Sequence, residues 1–542
     1  MSDYNVIIRN GTLYDGLGGS PIAGSVAIRD DTIAAVGDMG AASGAVEIDA
    51  GGLAVAPGFI NMLSWASEPL IVDGRSQSDI RQGVTLEVMG EGFSFGPLSQ
   101  AMKDEFTRRM ADDSIQYEIE WTTLGEYLDY LEKRGISTNV ASFVGHTTVR
   151  MNELGFEDRL PTPDELKRMC DLVRQAMQEG ALGLATALIY PPAAYSNTDE
   201  LIALAQAAAE YDGMYISHLR SEGSTFLDAF AEFLNIAKRA NTRAEIYHLK
   251  AIGQANWHKL DELIRRVESE RAQGVSITAN MYTYPAGATG LTACLPPWVQ
   301  AGGREAMIER LTDPPTRQRI LTEMQLDSDE WENMRLMAGS ADNILLCGFG
   351  TEALRELIGK TLAQVAAERG TSPEDTIIDL LIEDNTRIDT VYFTISEDNL
   401  RRQIGLPWVS FGSDEKSLAP EGAFLEANPH PRAYGTFARL LGRYVREERL
   451  IPLEEAIRRL TAFPAGVLKI AKRGQLAPGY FADVVVFDPD KIQDHATFEN
   501  PHQYATGVDH VWVNGVQVLR DGEHTGAKPG RVVRGPGWQG DQ

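Results

Sequence analysis

Cysteine is scarce in this 542-residue chain: Cys170, Cys294 and Cys347 are the only three. So few, so widely spaced, exclude a disulfide framework, and the odd count points to a reducing, cytoplasmic compartment. No run approaches the roughly 18 uninterrupted apolar residues that a spanning helix requires. The opening MSDYNVIIRNGTLYDG has neither a basic cluster nor the apolar stretch of a signal peptide. Positive charge is in deficit: 50 Lys and Arg stand against 77 Asp and Glu, a formal net charge of −27. That balance argues against nucleic acid and against an anionic membrane as partners. GDMG (37–40) and GEG (90–92) read as turn glycines, because no G-x-G-x-x-G opens a helix after a strand.

What is present is ordinary for a globular protein: 43% hydrophobic and 23% charged residues, in a chain long enough to bury a large core unaided. Residues 1–56 and 471–542 carry short apolar runs between Gly, Asp and Asn. Both ends are therefore expected to be strands. Asn514-Gly515, between two such runs, marks a hairpin. Residues 57–470 alternate strand and helix patterns, with strands expected at 53–63, 84–91, 139–146, 183–188, 214–219, 244–250, 275–282 and 408–414. The helix at 163–179 is the clearest, with Thr162 as N-cap, Pro163 in the first turn, Glu165 completing a capping box and Gly180 beyond the end. Eight such units predict an α/β fold, a (β/α)8 TIM-like barrel. A small β-sandwich from both termini and an inserted subdomain at 286–360 complete the expected architecture. One strand-like stretch, 390–396, is surplus to the eight.

Catalytic groups of such barrels sit at the C-terminal ends of the strands. There this sequence places Glu91, His146, His218, His248 and Asp414, drawing three histidines from a total of nine. Imidazole and carboxylate together suit a zinc ion with one open position, although a single strand-end histidine is as easily structural. Glu87, deeper on the strand that leads to Glu91, requires a buried partner. Cys170, within an amphipathic helix, reads as core.

The stretches APGFIN (56–61), GVTLEVMGEGFSFGP (83–97), YISHLRSEG (215–223), IYHLKA (246–251), NMYTYPAGATGLTACLP (280–296), FGSDE (411–415) and HPRAYGTFARLLGRYVRE (430–447) occur in an order that resembles the amidohydrolase superfamily. Within it, the likeness is to the N-acyl-D-amino-acid deacylase (D-aminoacylase) family. The resemblance implies one zinc ion on His218, His248 and a third ligand. The family's cysteine is absent here and Glu91 substitutes for it. It implies Asp414 as general base and proton donor in a one-metal, activated-water hydrolysis of an N-acyl amino acid, with His146 near the developing oxyanion. Lys250, Tyr282 and Arg432 would grip the substrate carboxylate, and Thr289 remains of a hydroxyl pair whose other member is Ala288. The family's H-x-H pair is replaced by Leu63, Ser64 and Trp65, so a second metal site should be missing. Arg220 and Glu222 read as loop or supporting residues. A Glu/His/His set also suits iron or manganese. The residues leave open another amide as substrate, a non-catalytic relative, and a homo-oligomer.

Overall fold

The computed structural model describes residues 2–110 and 114–540. Eight short parallel strands form the barrel: Phe59–Asn61, Val84–Met89, Asn139–Ser142 (continued by Val144–Gly145), Gly183–Ala187, Met214–His218, Ala244–Ile246, Ile277–Met281 and Val409–Phe411. The third strand pairs with the second through its first piece and with the fourth through its second piece. Met62 N–H donates to the Phe411 carbonyl (3.2 Å) and Asp414 N–H to the Leu63 carbonyl (2.8 Å). With a parallel bridge between Ser64 and Glu415, these bonds join the eighth strand to the first and close the barrel. Strand residues are buried on both faces, as expected of strands packed between a filled interior and a ring of helices.

The expected strand 53–63 is two strands. Ala54–Pro57 pairs with Val484–Phe487 in the terminal sheet, and Phe59–Asn61 opens the barrel. Gly58 makes the joint, because a Cβ there would fall 2.1 Å from Thr85 Oγ1. Nine strands from both chain ends make one sheet. It curls so that Ile8, Val26 and Ile28 share a core with Val484, Val486 and Trp512. The hairpin of Val508–Val513 and Val516–Arg520 turns at Asn514 and Gly515, both at positive φ (47° and 78°), as an Asn-Gly turn of type I′ requires. The Thr162 capping box is formed and its helix runs Pro163–Gln178. Between the seventh and eighth barrel strands lies a three-stranded antiparallel sheet, in which Asp389–Tyr392 is flanked by Gly287–Gly290 and Ile344–Gly348. The surplus stretch 390–396 thus belongs to the inserted region, which extends well past residue 360. No helix among the described residues is long and apolar enough to cross a membrane.

A buried polar knot fastens the terminal sheet to the barrel. Arg473 pairs with Asp483 and donates to Asn514 Oδ1 (2.9 Å). Asn514 Nδ2 in turn donates to Asn139 Oδ1 on the third barrel strand (2.8 Å). Breaking a buried pair strands an unpaired charge. Arg473→Ala should therefore lower stability by about 3 kcal/mol in a denaturant titration; a change within about 0.5 kcal/mol, ordinary for a surface site, would contradict the assignment.

Candidate metal centre

The second barrel strand ends at Met89, and Gly90 turns the chain at φ +106°. A side chain at Gly90 would place its Cβ 2.4 Å from the Phe143 carbonyl oxygen, so only glycine delivers Glu91 here. The fifth strand ends on His218 itself. The sixth ends at Ile246, two residues before His248, which sits at φ +30°. Its N–H donates to Asn280 Oδ1 (2.8 Å), and Asn280 Nδ2 donates to Glu245 Oε1 (2.8 Å). A non-glycine residue in left-handed backbone is held there by its surroundings and is typical of functional sites.

These turns bring three side chains together. Glu91 Oε1 lies 2.8 Å from His248 Nε2 and 3.2 Å from His218 Nδ1. The ligand-type atoms all fall within 4.8 Å of one another, and all three residues are buried. Two imidazole nitrogens and one carboxylate oxygen brought this close are a donor set that fits a divalent ion such as zinc. Behind the rings stands Glu222. Its Oε1 lies 3.1 Å from His248 Nδ1 and accepts from Lys250 Nζ (2.8 Å), and its Oε2 is 3.6 Å from His218 Nε2. One carboxylate therefore faces both rings, but only His248 Nδ1 is within bonding distance, the contact that fixes tautomer and orientation in metal-binding histidines.

The electrostatics match. Burial pushes the Glu91 carboxyl up, but His248 and His218 outweigh it and hold it below the usual carboxylate range. Burial and Lys250 push His248 down, but Glu91 and Glu222 prevail and raise it to about 9. Burial lowers His218. Glu222, despite burial, is drawn down to about 2, chiefly by Lys250.

Asp414, at φ +52°, follows the eighth strand. Its Oδ2 lies 2.6 Å from an Arg432 guanidinium nitrogen, and its Oδ1 accepts from Trp65 Nε1 (3.2 Å). Arg432 thus has a partner that the sequence did not suggest. Its guanidinium stacks 4.5 Å from the Tyr282 ring centroid, and Lys250 Nζ lies 5.8 Å from the same centroid. The Tyr282 hydroxyl and Arg432 Nε are buried and make no hydrogen bond to the described residues. Lys250 lies beyond the sixth strand's end, so its proximity to His248 (Nζ–Nδ1 2.7 Å) comes from the turn and not from strand alternation. Thr289, on the insert's first strand, bonds the Tyr190 hydroxyl, and the Tyr190 ring lies 5.4 Å from that of His218. Ser64 donates to Glu87 Oε2 (2.8 Å) and Thr138 to its Oε1 (2.9 Å), supplying the partners that Glu87 required.

His146 stands apart. It opens the helix His146–Leu154, is fully buried, and its Nε2 lies 2.9 Å from Glu200 Oε1. Arg150 donates to both Glu200 oxygens (2.9 and 2.7 Å). Among the described residues no hydrogen bond or ion pair joins His146 to Glu91, His218 or His248. Through Nε2 it ties two helices together, while its Nδ1 is buried and makes no hydrogen bond to the described residues.

Residues 399–519 match the amidohydrolase family. The chain is 32% identical to a D-aminoacylase of Alcaligenes xylosoxydans xylosoxydans, across 98% of this chain and 97% of that protein. It belongs to the amidohydrolase family, with the N-acyl-D-amino-acid deacylases. A solved D-aminoacylase, described in terms of one-metal activation and second-metal attenuation of a binuclear centre, superposes with a TM-score of 0.81 at 30% identity, covering 98% of this chain and all of that one. The N-acyl-D-glutamate deacylase of Bordetella bronchiseptica, solved with zinc and a phosphonate mimic of the tetrahedral intermediate, gives 0.80 at 30% identity, with 98% and 99% covered.

Several site residues escaped sequence reasoning. Asn280 lay within a motif that carried the resemblance, and Tyr190 follows the fourth strand, yet nothing in their spacing marks them. His430 is another: its Nε2 lies 3.0 Å from the Ala286 carbonyl oxygen, and its Nδ1 accepts from Arg432 N–H (3.0 Å), seating Arg432.

A metal ion requires His248 unprotonated. With its pKa near 9, the metal-free protein at pH 7 holds a proton that zinc must expel. Calorimetry of zinc binding at pH 7 in buffers of different ionisation enthalpy should therefore report release of about one proton, and affinity should rise with pH until about 9. Binding without proton release would contradict this electrostatic assignment.

Proposed function

We propose that this amidohydrolase is a one-metal deacylase of N-acyl D-amino acids, cleaving the amide bond to release a carboxylate and the free amino acid. The observation that carries the proposal is a set of buried donors left without partners beside Asp414, where a substrate carboxylate would seat. The buried, unpartnered Tyr282 hydroxyl and Arg432 Nε are donors suited to such a group, and a guanidinium binds a carboxylate in bidentate fashion.

Glu91, His218 and His248 would hold the ion, and zinc suits that donor set. When bound there, such an ion would supply Lewis-acid polarisation of the acyl carbonyl and would acidify a water towards about 7. Asp414 would take the proton of a water whose oxygen adds to the acyl carbon, and would return it to the amide nitrogen as the C–N bond breaks, leaving a carboxylate and the free amine. Trp65 Nε1 and Arg432 orient its two oxygens. When the substrate carboxylate engages Arg432, the Asp414 oxygen now 2.6 Å from it gains freedom to accept the proton. Thr289 and Tyr190 stand at the side of the site near His218, where the acyl group or side chain would lie.

A single ion follows from the end of the first strand. Leu63 is buried core, Ser64 is bonded to Glu87, and Trp65 is bonded to Asp414. None offers a ligand nitrogen. The three cysteines are free, consistent with a cytoplasmic enzyme. The test is a kinetic screen of N-acetyl-D- against N-acetyl-L-amino acids with the chelated enzyme and after zinc addition. The expected result is no turnover without metal, full activity at one equivalent, D over L by at least about 100-fold (roughly 2.7 kcal/mol), and no inhibition by excess zinc. Equal or zero turnover of both enantiomers would overturn the proposal, and loss of activity beyond one equivalent would overturn its single-ion form.

A further inference from the structure

His218 Nε2, Glu222 and Glu332 form a second group of buried, ligand-type atoms within 4.8 Å of one another. Both His218 Nε2 and Glu332 Oε1 make no hydrogen bond among the described residues. The group is not a second cation site. When His218 Nδ1 faces the ion, Nε2 keeps the ring proton and is a donor.

Glu332 arrives from the inserted region, just before the short helix Met334–Met337. The next residue anchors it: Asn333 Nδ2 donates to the Met324 carbonyl (2.8 Å), and its Oδ1 accepts from the N–H groups of Arg335 (3.1 Å) and Leu336 (3.3 Å). Glu332 Oε2 then accepts three bonds from the turn that follows His218: Glu222 N–H (2.5 Å), Ser221 Oγ–H (3.0 Å) and Gly223 N–H (3.0 Å). That turn carries Glu222, the carboxylate facing both imidazoles and Lys250. Close packing leaves the turn little room, since a Cβ at Gly223 would fall 2.9 Å from Met337 Sδ.

We infer that Glu332 is a positioning residue through which the inserted region fixes the metal centre: its Oε2 clamps the 221–223 turn, and the turn holds Glu222 against His218 and His248. The inference rests on the reading of Glu91, His218 and His248 as metal ligands. An acceptor oxygen, not a charge, is what the clamp requires.

Zinc affinity of the full chain, measured by chelator competition, tests it in E332A and E332Q. E332A should weaken zinc binding by about 10- to 100-fold, the usual effect of losing a partner behind a ligand. E332Q, whose amide oxygen accepts the same bonds, should stay within about threefold (roughly 0.65 kcal/mol) of the wild type. Unchanged affinity in E332A, or E332Q as weak as E332A, would overturn the inference. If E332A fails to fold, S221A carries the test: removing one of the three donors should weaken zinc by about threefold to tenfold, and unchanged affinity would overturn the inference. H218A separates the two levels. Zinc retained in H218A means that the metal reading has failed; zinc lost in H218A but kept in E332A means that only this inference has failed.

Discussion

A single carboxylate oxygen, Glu91 Oε1, faces two imidazoles from different strands, and the architecture of the site follows from that convergence. A buried carboxylate is tolerated only when paired; here both partners are histidines whose outer nitrogens face a second carboxylate, Glu222. The arrangement stacks two anions around two rings. Every backbone irregularity of the site serves it. Gly90 turns the chain beyond the second strand where a Cβ would collide with the Phe143 carbonyl. His248 is bent into left-handed backbone and held by Asn280. Asp414, also left-handed, is held by Trp65 and Arg432.

The loss of the family's H-x-H pair is a rearrangement. Ser64 supplies one of the hydrogen bonds that satisfy Glu87, and the Trp65 indole occupies one oxygen of Asp414. A carboxylate engaged on both oxygens by protein groups is poorly placed to bind a second cation, and one of its oxygens must be released before it can accept a proton.

Much of this was legible in the sequence. Strand-end glutamate, histidines and aspartate announced the barrel mouth because strand periodicity and the C-terminal-end rule act locally. The capping box at Thr162 and the Asn-Gly turn at 514–515 were visible because they depend on neighbours in the chain. What stayed hidden depends on contacts between distant segments. His146 stands at a strand end like the candidate ligands, yet Glu200, 54 residues away, draws it into an ion cluster with Arg150. The pairing of Arg432 with Asp414, and the reach of Glu332 to residues 221–223, join positions that no local pattern relates. The strand at Asp389–Tyr392 looked surplus because its partners lie in the insert, not in the barrel.

The claim that Glu91 completes a single metal site is tested most directly by zinc-edge anomalous diffraction from crystals of the wild type and of Glu91→Ala, grown with equal zinc. The account predicts one strong peak per chain, in contact with Glu91 Oε1, His218 Nδ1 and His248 Nε2, and its loss or severe weakening in the variant. A peak of undiminished strength without Glu91, or a second peak beside Asp414 and Trp65, would contradict it.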